Sequence, residues 1–211
     1  MPRWTITADY AGRDVFIISG GDSLRHGFDW NLLKDERTIG CNSAFTLGAE
    51  ICKICIFGDA KWFKTYAREL SEYEGLVFTS HAAFKRAPVD WLWYLPRKSK
   101  GLGTDSLGWN NNTGSQAINL ALILGASRVY LLGFDMHLSK DGRPNWHDNQ
   151  IDKPDRLLYK KFIKHFSRVK KALPEVFPGT EIINITDDSS LDMFPKIGVK
   201  EFWKERRNHV A

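Results

Sequence analysis

Short apolar segments alternate with longer amphipathic segments along most of this chain. Six segments rich in β-branched or aromatic residues predict strands, and apolar residues at helical spacing predict helices between them. Strands of nearly continuous apolar character fit a parallel sheet covered on both faces, so the pattern predicts a doubly wound α/β fold with a mostly parallel sheet. The strand segments are DVFIIS, RTIGCN, ICIFGD, LVFTS, RVYLLGFD and EIINIT, and helices are expected near residues 23–34, 60–73, 113–125, 154–173 and 199–207.

Residues 80–112 break this pattern. They contain three of the eight tryptophans, several glycines and two prolines, without a clear period. Long irregular segments in compact domains often form lids or binding loops, so we expect a lid or insertion here within a single domain over residues 1–211. Its Trp91, Trp93 and Tyr94 either cap the core or contact an acceptor or a membrane surface.

Composition narrows the class of protein. The 211 residues are 43% hydrophobic and 26% charged, which fits one folded domain. The chain has no apolar segment of signal-peptide or membrane-span length, which predicts a cytoplasmic protein. Its net charge of +5 favours anionic partners, but much of the excess lies on the amphipathic helix predicted at 154–173. No nucleic-acid-binding motif accompanies it, so we expect a solvated basic face and no nucleic-acid partner.

Three cysteines, Cys41, Cys52 and Cys55, lie in apolar, strand-like segments. An odd count without secretory context argues against a disulfide framework. Cys52 and Cys55 are three residues apart in a strand, where their side chains point to opposite faces, so a shared metal or redox site is disfavoured. We expect reduced thiols and no metal site at this pair.

Polar residues follow several predicted strands at their ends. Ligands of open parallel sheets bind beyond the carboxyl ends of the strands, and glycines with short polar side chains suit a ribose, a base edge and a diphosphate. Each residue alone could instead cap the next helix. The loop SGGDS matches neither GxGxxG nor the P-loop pattern, which disfavours dinucleotide enzymes and ordinary P-loop kinases. The candidate nucleotide contacts are Gly20, Gly21, Asp22 and Ser23 after the first strand, Asn42 after the second and Asp59 after the third.

A second polar segment begins the helix predicted at 113–125. Thr113 and Ser115 flank Gly114 there, at the edge of the sheet where a ligand is expected. These three residues either contact an anion or sugar, or form the ordinary start of a buried helix.

A polar loop, HLSKDGRPNWHDNQ, follows the strand RVYLLGFD. His137 and His147 suit general-base work, with Asp135 as a third candidate catalytic residue, and Arg143 suits a phosphate. Together with Asp148, the two histidines and Asp135 could instead bind a divalent metal, although their spacing matches no strong metal motif.

Three segments in order resemble one known superfamily. VFIISGGDSL, IGCNSAF and TGSQAINLALILGASRVYLLGFDMH are similar to its glycine-rich first loop, strand-end asparagine and LG(F/I)D signature. The superfamily includes bacterial lipooligosaccharide sialyltransferases, motility accessory factors, archaeal hydroxymethylpterin pyrophosphokinases and uncharacterised phage and bacterial proteins. The resemblance implies a Rossmann-like, nucleotide-dependent transferase whose nucleotide contacts residues 20–23, Asn42, Asp59 and 113–115. It also implies a histidine base past the signature, either His147 or His137.

Two departures from the sialyltransferase pattern bear on the reaction. The tyrosines that bind the leaving phosphate have no evident match after Asp135, which makes Arg143 the candidate by charge. Gly20 stands where the sialyltransferases have asparagine, and Asp22 where they often have proline. A carboxylate beside a phosphate favours a bound Mg²⁺ or ribose hydroxyls between the two.

The leading hypothesis is a nucleotide-sugar-dependent glycosyltransferase. Its donor would be a nucleotide-activated sugar, in the first instance CMP-linked, and its acceptor a glycan or other small molecule. The alternatives are a Mg²⁺-dependent pterin-type pyrophosphokinase and a nucleotide-binding accessory protein without catalysis.

Overall fold

The computed structural model describes residues 10–86, 89–149 and 155–208. Its strands are β1 Asp14–Ile18, β2 Arg37–Cys41, β3 Ile54–Phe57, β4 Leu76–Thr79, β5 Leu92–Tyr94, β6 Arg97–Lys98, β7 Leu107–Gly108, β8 Arg128–Leu132 and β9 Glu181–Asn184. The α-helices are α1 Ala60–Ser71, α2 Thr113–Ile123, α3 Arg156–Val176 and α4 Val199–Asn208. None of the described helices is both long and apolar enough to cross a membrane.

A seven-stranded sheet has the order β5-β4-β3-β2-β1-β8-β9, and every adjacent pair in it is parallel. The chain runs outward from β1 to β5 and then returns to the other side of β1 to form β8 and β9. The strand order therefore reverses between β1 and β8, which is where open α/β sheets bind their ligands. The predicted doubly wound, mostly parallel α/β fold is confirmed.

The apolar core lies on both faces of this sheet. Alternate residues of β1 divide between them: Val15 and Ile17 pack in the cluster that contains α2, whereas Phe16 and Ile18 pack in the cluster that contains α4. Every α2 residue after Thr113 is buried. The α2 helix therefore lies inside the protein, and its N-terminus is held firmly at the carboxyl edge of the sheet.

The helix predicted near residues 23–34 is wrong. Two short 3₁₀ helices, Asp22–Leu24 and Trp30–Leu33, occupy this segment. Between them Gly27 has a φ of +83°, and the Asp29 carboxylate accepts a hydrogen bond from the Asn31 backbone N–H, which starts a new turn. A left-handed residue and an internal N-cap interrupt the apolar spacing that predicted one helix.

The aromatic-rich segment 80–112 contains order that its sequence pattern did not predict. It supplies the edge strand β5 and the two-stranded sheet of β6 and β7. Trp93 packs against the main core, and Trp91 and Tyr94 pack in the cluster around α1. The core-capping interpretation of these aromatic residues is confirmed, while the role of the segment as a lid stays a prediction.

All three cysteines are buried and free, as predicted. Burial raises the pKa of Cys52 to about 11, so its thiol is protonated at neutral pH.

Candidate functional site

A cavity of about 270 Å³ lies at the carboxyl edge of the sheet, beside the point where the strand order reverses. We call it the switch-point cavity. Nine residues that the sequence nominated line it together: Gly20, Gly21, Asn42, Asp59, Thr113, Gly114, Asp135, His137 and His147. Four other nominated residues are not among its lining residues: Asp22, Ser23, Ser115 and Arg143.

Gly21 allows the first loop to lie against the end of β8. Its backbone N–H donates to the carbonyl of Gly133 at 2.8 Å, so this N–H is engaged within the fold. A Cβ atom on Gly21 would lie 2.0 Å from Asp135 Oδ1 and 2.5 Å from Gly133 O. The glycine is therefore required by close packing of two backbone segments.

Asp135 holds the first loop in place. Its carboxylate accepts hydrogen bonds from the Ser23 backbone N–H at 2.8 Å and from Ser23 Oγ at 2.6 Å. Asp135 is 4% exposed, and burial raises the pKa of its carboxyl group although the Ser23 hydrogen bonds oppose that shift. Asp135 thus lies at the cavity wall, and its carboxylate positions the first loop by binding Ser23.

Asp22 and Arg143 face each other beside the cavity. Asp22 Oδ1 lies 3.1 Å from Arg25 Nε and 3.6 Å from Arg143 Nε. Arg143 Nη2 also pairs with Asp141 at 2.8 Å. These guanidinium groups offset the negative charge of Asp22, so the carboxylate does not need a metal ion to be stable near this edge.

The surroundings of His137 favour its charged form. Its Nδ1 lies 2.8 Å from the carbonyl oxygen of Leu138, and its Nε2 lies 2.8 Å from that of Asp188. Carbonyl oxygens only accept, so both bonds form only when both ring nitrogens carry a proton. Burial lowers the pKa of His137, but these two bonds and the charges of Asp188 and Asp135 outweigh it, and the net shift is upward. When protonated, His137 places a positive charge at the cavity.

His147 is the opposite case. Burial, with a smaller contribution from the charge of Arg25, lowers the pKa of His147 to about 4, against the effect of Asp148. Its ring is neutral at pH 7, and Nδ1 is a buried atom without a hydrogen-bond partner among the described residues. A neutral imidazole with an uncommitted nitrogen can accept a proton.

Trp146 positions His147 against the first loop. The Trp146 backbone N–H donates to the carbonyl of Gly20 at 2.9 Å, and its indole N–H donates to the carbonyl of Ser19 at 2.9 Å. The Trp146 and His147 rings pack edge to face, with their centroids 4.8 Å apart. Because Ser19 and Gly20 directly follow β1, these two bonds hold the histidine next to Gly20.

Asn42 follows β2 directly and carries two unusual features. Its φ is +51°, a left-handed conformation that non-glycine residues seldom adopt. Its side-chain Oδ1 is buried and has no hydrogen-bond partner among the residues the structure describes. A buried acceptor left unpaired costs about 1–3 kcal/mol, and strained residues of this kind cluster at ligand sites.

The start of α2 forms another wall of the cavity. Asn112 is its N-cap, and the Asn112 side chain accepts from the Ser115 backbone N–H at 3.1 Å. Ser115 Oγ accepts from Asn110 Nδ2 at 2.7 Å and donates to the carbonyl of Gly108, so this hydroxyl serves the fold. Thr113 and Gly114 remain at the cavity, next to the positive end of the helix dipole. Asp59 similarly caps α1 through the Lys61 backbone N–H at 2.7 Å.

Asn112, Asn145 and Tyr159 are among the cavity residues that the sequence did not nominate. Burial, aided by the charge of Asp135, raises the pKa of Tyr159 to about 12, so its hydroxyl is a neutral donor. Tyr159 lies on α3, and no motif in the sequence marked it as a site residue. Asn112 could have been found, because asparagine is a preferred N-cap.

The alternative metal site is not assembled by the structure. Within residues 10–86, 89–149 and 155–208, no group of three or more His, Cys, Asp or Glu side chains is arranged to hold a metal ion. Asp148 instead pairs with Arg25 at 2.7 Å.

Comparison with solved structures finds the same fold. The sialyltransferase CstII from Campylobacter jejuni, in complex with a substrate analogue, cytidine-5'-monophosphate, matches 87% of this chain and 84% of that chain, with 17% identity and a TM-score of 0.52. The same enzyme in complex with CMP-3FNeuAc covers equal shares at 16% identity and a TM-score of 0.47. No protein-family model matches the chain, and no curated protein matches it. The similarity to the first structure supports the Rossmann-like α/β fold.

Proposed function

We propose that this protein is a glycosyltransferase-like enzyme that binds a CMP-linked acidic sugar in the switch-point cavity. The observation that carries the proposal is Asn42, whose unpartnered Oδ1 is held in a strained conformation at the cavity. An acceptor in this state is satisfied by a ligand N–H or O–H, and the amino group of cytosine and the ribose hydroxyls are such donors. The fold shared with CstII, which was solved with cytidine-5'-monophosphate, supports this nucleotide.

The charges around the cavity suit a departing phosphate. Protonated His137 supplies a positive charge, Tyr159 a neutral hydroxyl donor, and the N-terminus of α2 a positive partial charge at Thr113 and Gly114. Groups fixed in advance toward developing negative charge account for much of the rate enhancement in enzymes of group transfer. In the proposed reaction these three groups stabilise the CMP phosphate as it leaves.

His147 would act as the general base. The acceptor hydroxyl oxygen bonds to the anomeric carbon of the sugar, its proton passes to His147, and the electron pair of the broken carbon–oxygen bond leaves with CMP. A base with a pKa of about 4 is weak at neutral pH. The negative phosphate of a bound donor raises the pKa of a neighbouring imidazole, which brings His147 closer to its working range only when donor is present.

The first test is nucleotide binding by calorimetry and thermal shift, with CMP, UMP and ATP, each with and without Mg²⁺. We expect CMP to bind and to raise the melting temperature in both conditions, because a ligand of the native state stabilises it. A shift with ATP and Mg²⁺ alone would contradict the proposal and favour the pyrophosphokinase.

The second test is CMP release from CMP-N-acetylneuraminate, with lactose as a trial acceptor. His147→Gln is expected to lower turnover by about 10²–10⁴-fold while leaving CMP affinity unchanged, as for the loss of a general base. His165→Gln is the matched control, because His165 is on α3 and is not among the cavity residues. CMP binding without any release by the wild-type protein would favour the accessory-protein alternative.

A further inference from the structure

A second cavity of about 450 Å³ lies between the 3₁₀ segments after β1 and the helix α4. We call it the α4 cavity. Its apolar wall includes Leu24, Phe28, Leu32, Ile185 and Val199. Small-molecule sites are concave, mostly apolar and of roughly 300–1,000 Å³, so the α4 cavity has the size and lining of a ligand site.

Trp203 is the unusual residue of this lining. It is 6% exposed, and its ring stacks on Phe16 with centroids 5.4 Å apart. Its indole Nε1 is buried and has no hydrogen-bond partner among the described residues. Buried indole N–H groups usually find an acceptor, so this one lacks a partner that a ligand oxygen could provide.

Three cations lie on the same side of α4 as Trp203. Lys200, Lys204 and Arg207 recur at positions i, i+4 and i+7, and all three line the α4 cavity. In the described part of the chain none of them forms an ion pair; Arg207 Nε donates to the Trp203 carbonyl at 3.2 Å. The neighbouring Arg206 is the contrast, because it points inward and pairs with Asp14 at 2.6 Å.

The acidic residues of the α4 cavity are already engaged. Asp29 accepts from the Asn31 backbone N–H at 3.0 Å, and Asp187 accepts from the Val199 backbone N–H at 2.8 Å. Both carboxylates therefore accept from the starts of helices, whereas the three cations form no ion pair within the part of the chain that the structure describes. Three cations and two carboxylates line the cavity, so the net charge of its lining is positive.

We propose that the α4 cavity binds a small amphipathic oxyanion, a carboxylate or similar anion attached to an apolar body. The apolar body packs on Phe28 and Leu32, and the oxyanion accepts from the Trp203 indole N–H and is neutralised by the cations of α4. This site is separate from the switch-point cavity, and it does not depend on the proposed transferase activity.

The test is calorimetric titration of the full chain with 2-naphthoate, and with 2-naphthamide as the uncharged analogue. We expect 2-naphthoate to bind at least about tenfold more tightly, since hydrogen bonds to charged groups are the stronger ones. The double variant Lys200→Ala/Lys204→Ala is expected to bind 2-naphthoate about tenfold more weakly. This is the combined effect of losing two exposed ion pairs, each near the upper end of what such pairs contribute. Lys170→Ala/Lys171→Ala is the control, because these exposed lysines lie on α3, and it should bind as the wild type does.

Trp203→Phe keeps the ring and removes the N–H, and it should weaken 2-naphthoate about tenfold. The lysine variants are on the surface, so they keep the test valid if Trp203→Phe folds poorly. Three results would overturn the proposal: no binding of 2-naphthoate, equal affinity for 2-naphthamide, or unchanged affinity in the lysine double variant.

Discussion

Gly21→Ala should be far more damaging than the position of Gly21 in a loop suggests, because the glycine is buried. Gly21 has φ −52° and ψ 140°, a conformation that alanine adopts freely, so backbone strain plays no part. The new Cβ would lie 2.0 Å from Asp135 Oδ1 and 2.5 Å from Gly133 O. Neither atom can move aside at low cost, because Asp135 is held by Ser23 and the Gly133 carbonyl accepts from Gly21 itself.

The magnitude follows from these contacts. Overpacking of a tight site costs about 1–3 kcal/mol, and losing the two Ser23 hydrogen bonds to a charged acceptor costs about 1.5 kcal/mol each. Replacing glycine by alanine also lowers the conformational entropy of the unfolded chain, which raises the unfolding free energy by up to about 1 kcal/mol. The net loss of unfolding free energy is therefore about 3–5 kcal/mol, or a melting temperature roughly 10 °C lower for a chain of this size. CMP affinity should fall as well, since the displaced loop forms one wall of the cavity.

Urea unfolding of three alanine variants separates the causes. The Cβ of Gly20→Ala would lie 2.7 Å from the Asn145 side chain, which can rotate away, and at an ordinary contact distance of 3.9 Å from His147 Nε2, so its cost should stay below about 1 kcal/mol. Gly27→Ala meets nothing within 4 Å but has a φ of +83°, so it reports backbone strain alone, about 1 kcal/mol. In an Asp135→Ala background, Gly21→Ala should cost less than in the wild type. The reasoning is refuted if Gly21→Ala is as stable as Gly20→Ala.

The remaining predictions concern two histidines and Asn42. Because the pKa of His147 is lowered to about 4, the stability of the wild type should fall as pH drops from about 6.5 toward 4. The fall should not exceed about 3 kcal/mol, because the ring is partly solvated. His147→Gln should remove this dependence on pH from urea midpoints measured across that range. The raised pKa of His137 has the opposite effect on stability: its contribution is complete below the unfolded pKa of about 6.5 and is lost as pH rises through the folded pKa. His137→Gln should therefore reduce the loss of stability that the wild type shows as pH rises above about 6.5. An unchanged dependence of stability on pH in that range would contradict a protonated His137. Asn42→Gly should relieve the strain of the left-handed conformation, so its urea midpoint should equal or exceed that of the wild type. The same variant should bind CMP about tenfold more weakly, because the Oδ1 acceptor is lost. Equal affinity for CMP would show that Asn42 does not contact the nucleotide.

Much of the fold was predictable because the chain is locally consistent. The six predicted strands are near-continuous apolar segments, and in a buried parallel sheet that signal is unambiguous. The 3₁₀ segments between β1 and β2 were missed because Leu24, Phe28 and Leu32 follow helical spacing, yet they pack inward from two short turns separated by Gly27. Strands β5 to β7 were missed because two or three residues are too few to show a period.

The location of the site was also predictable, but the work of each residue was not. Polar residues at strand ends converge in any parallel sheet, which is why Asn42, Asp135 and His147 meet at one cavity. Whether such a residue serves the fold or a ligand depends on contacts distant in sequence. Ser23 was expected to contact a nucleotide, but it bonds to Asp135, 112 positions along the chain.

The two histidines show why charge state in particular lies beyond the reach of sequence. His137 and His147 are in the same polar loop, ten residues apart, and begin from the same intrinsic pKa. Two backbone carbonyls, one of them at Asp188 beyond α3, favour protonation of the first, whereas burial beside Trp146 keeps the second neutral. A pair of titratable groups driven apart in this way identifies which one can accept a proton and which can stabilise negative charge. That division supports His147 as the base and His137 as the phosphate partner, a distinction that exists only once the chain has folded.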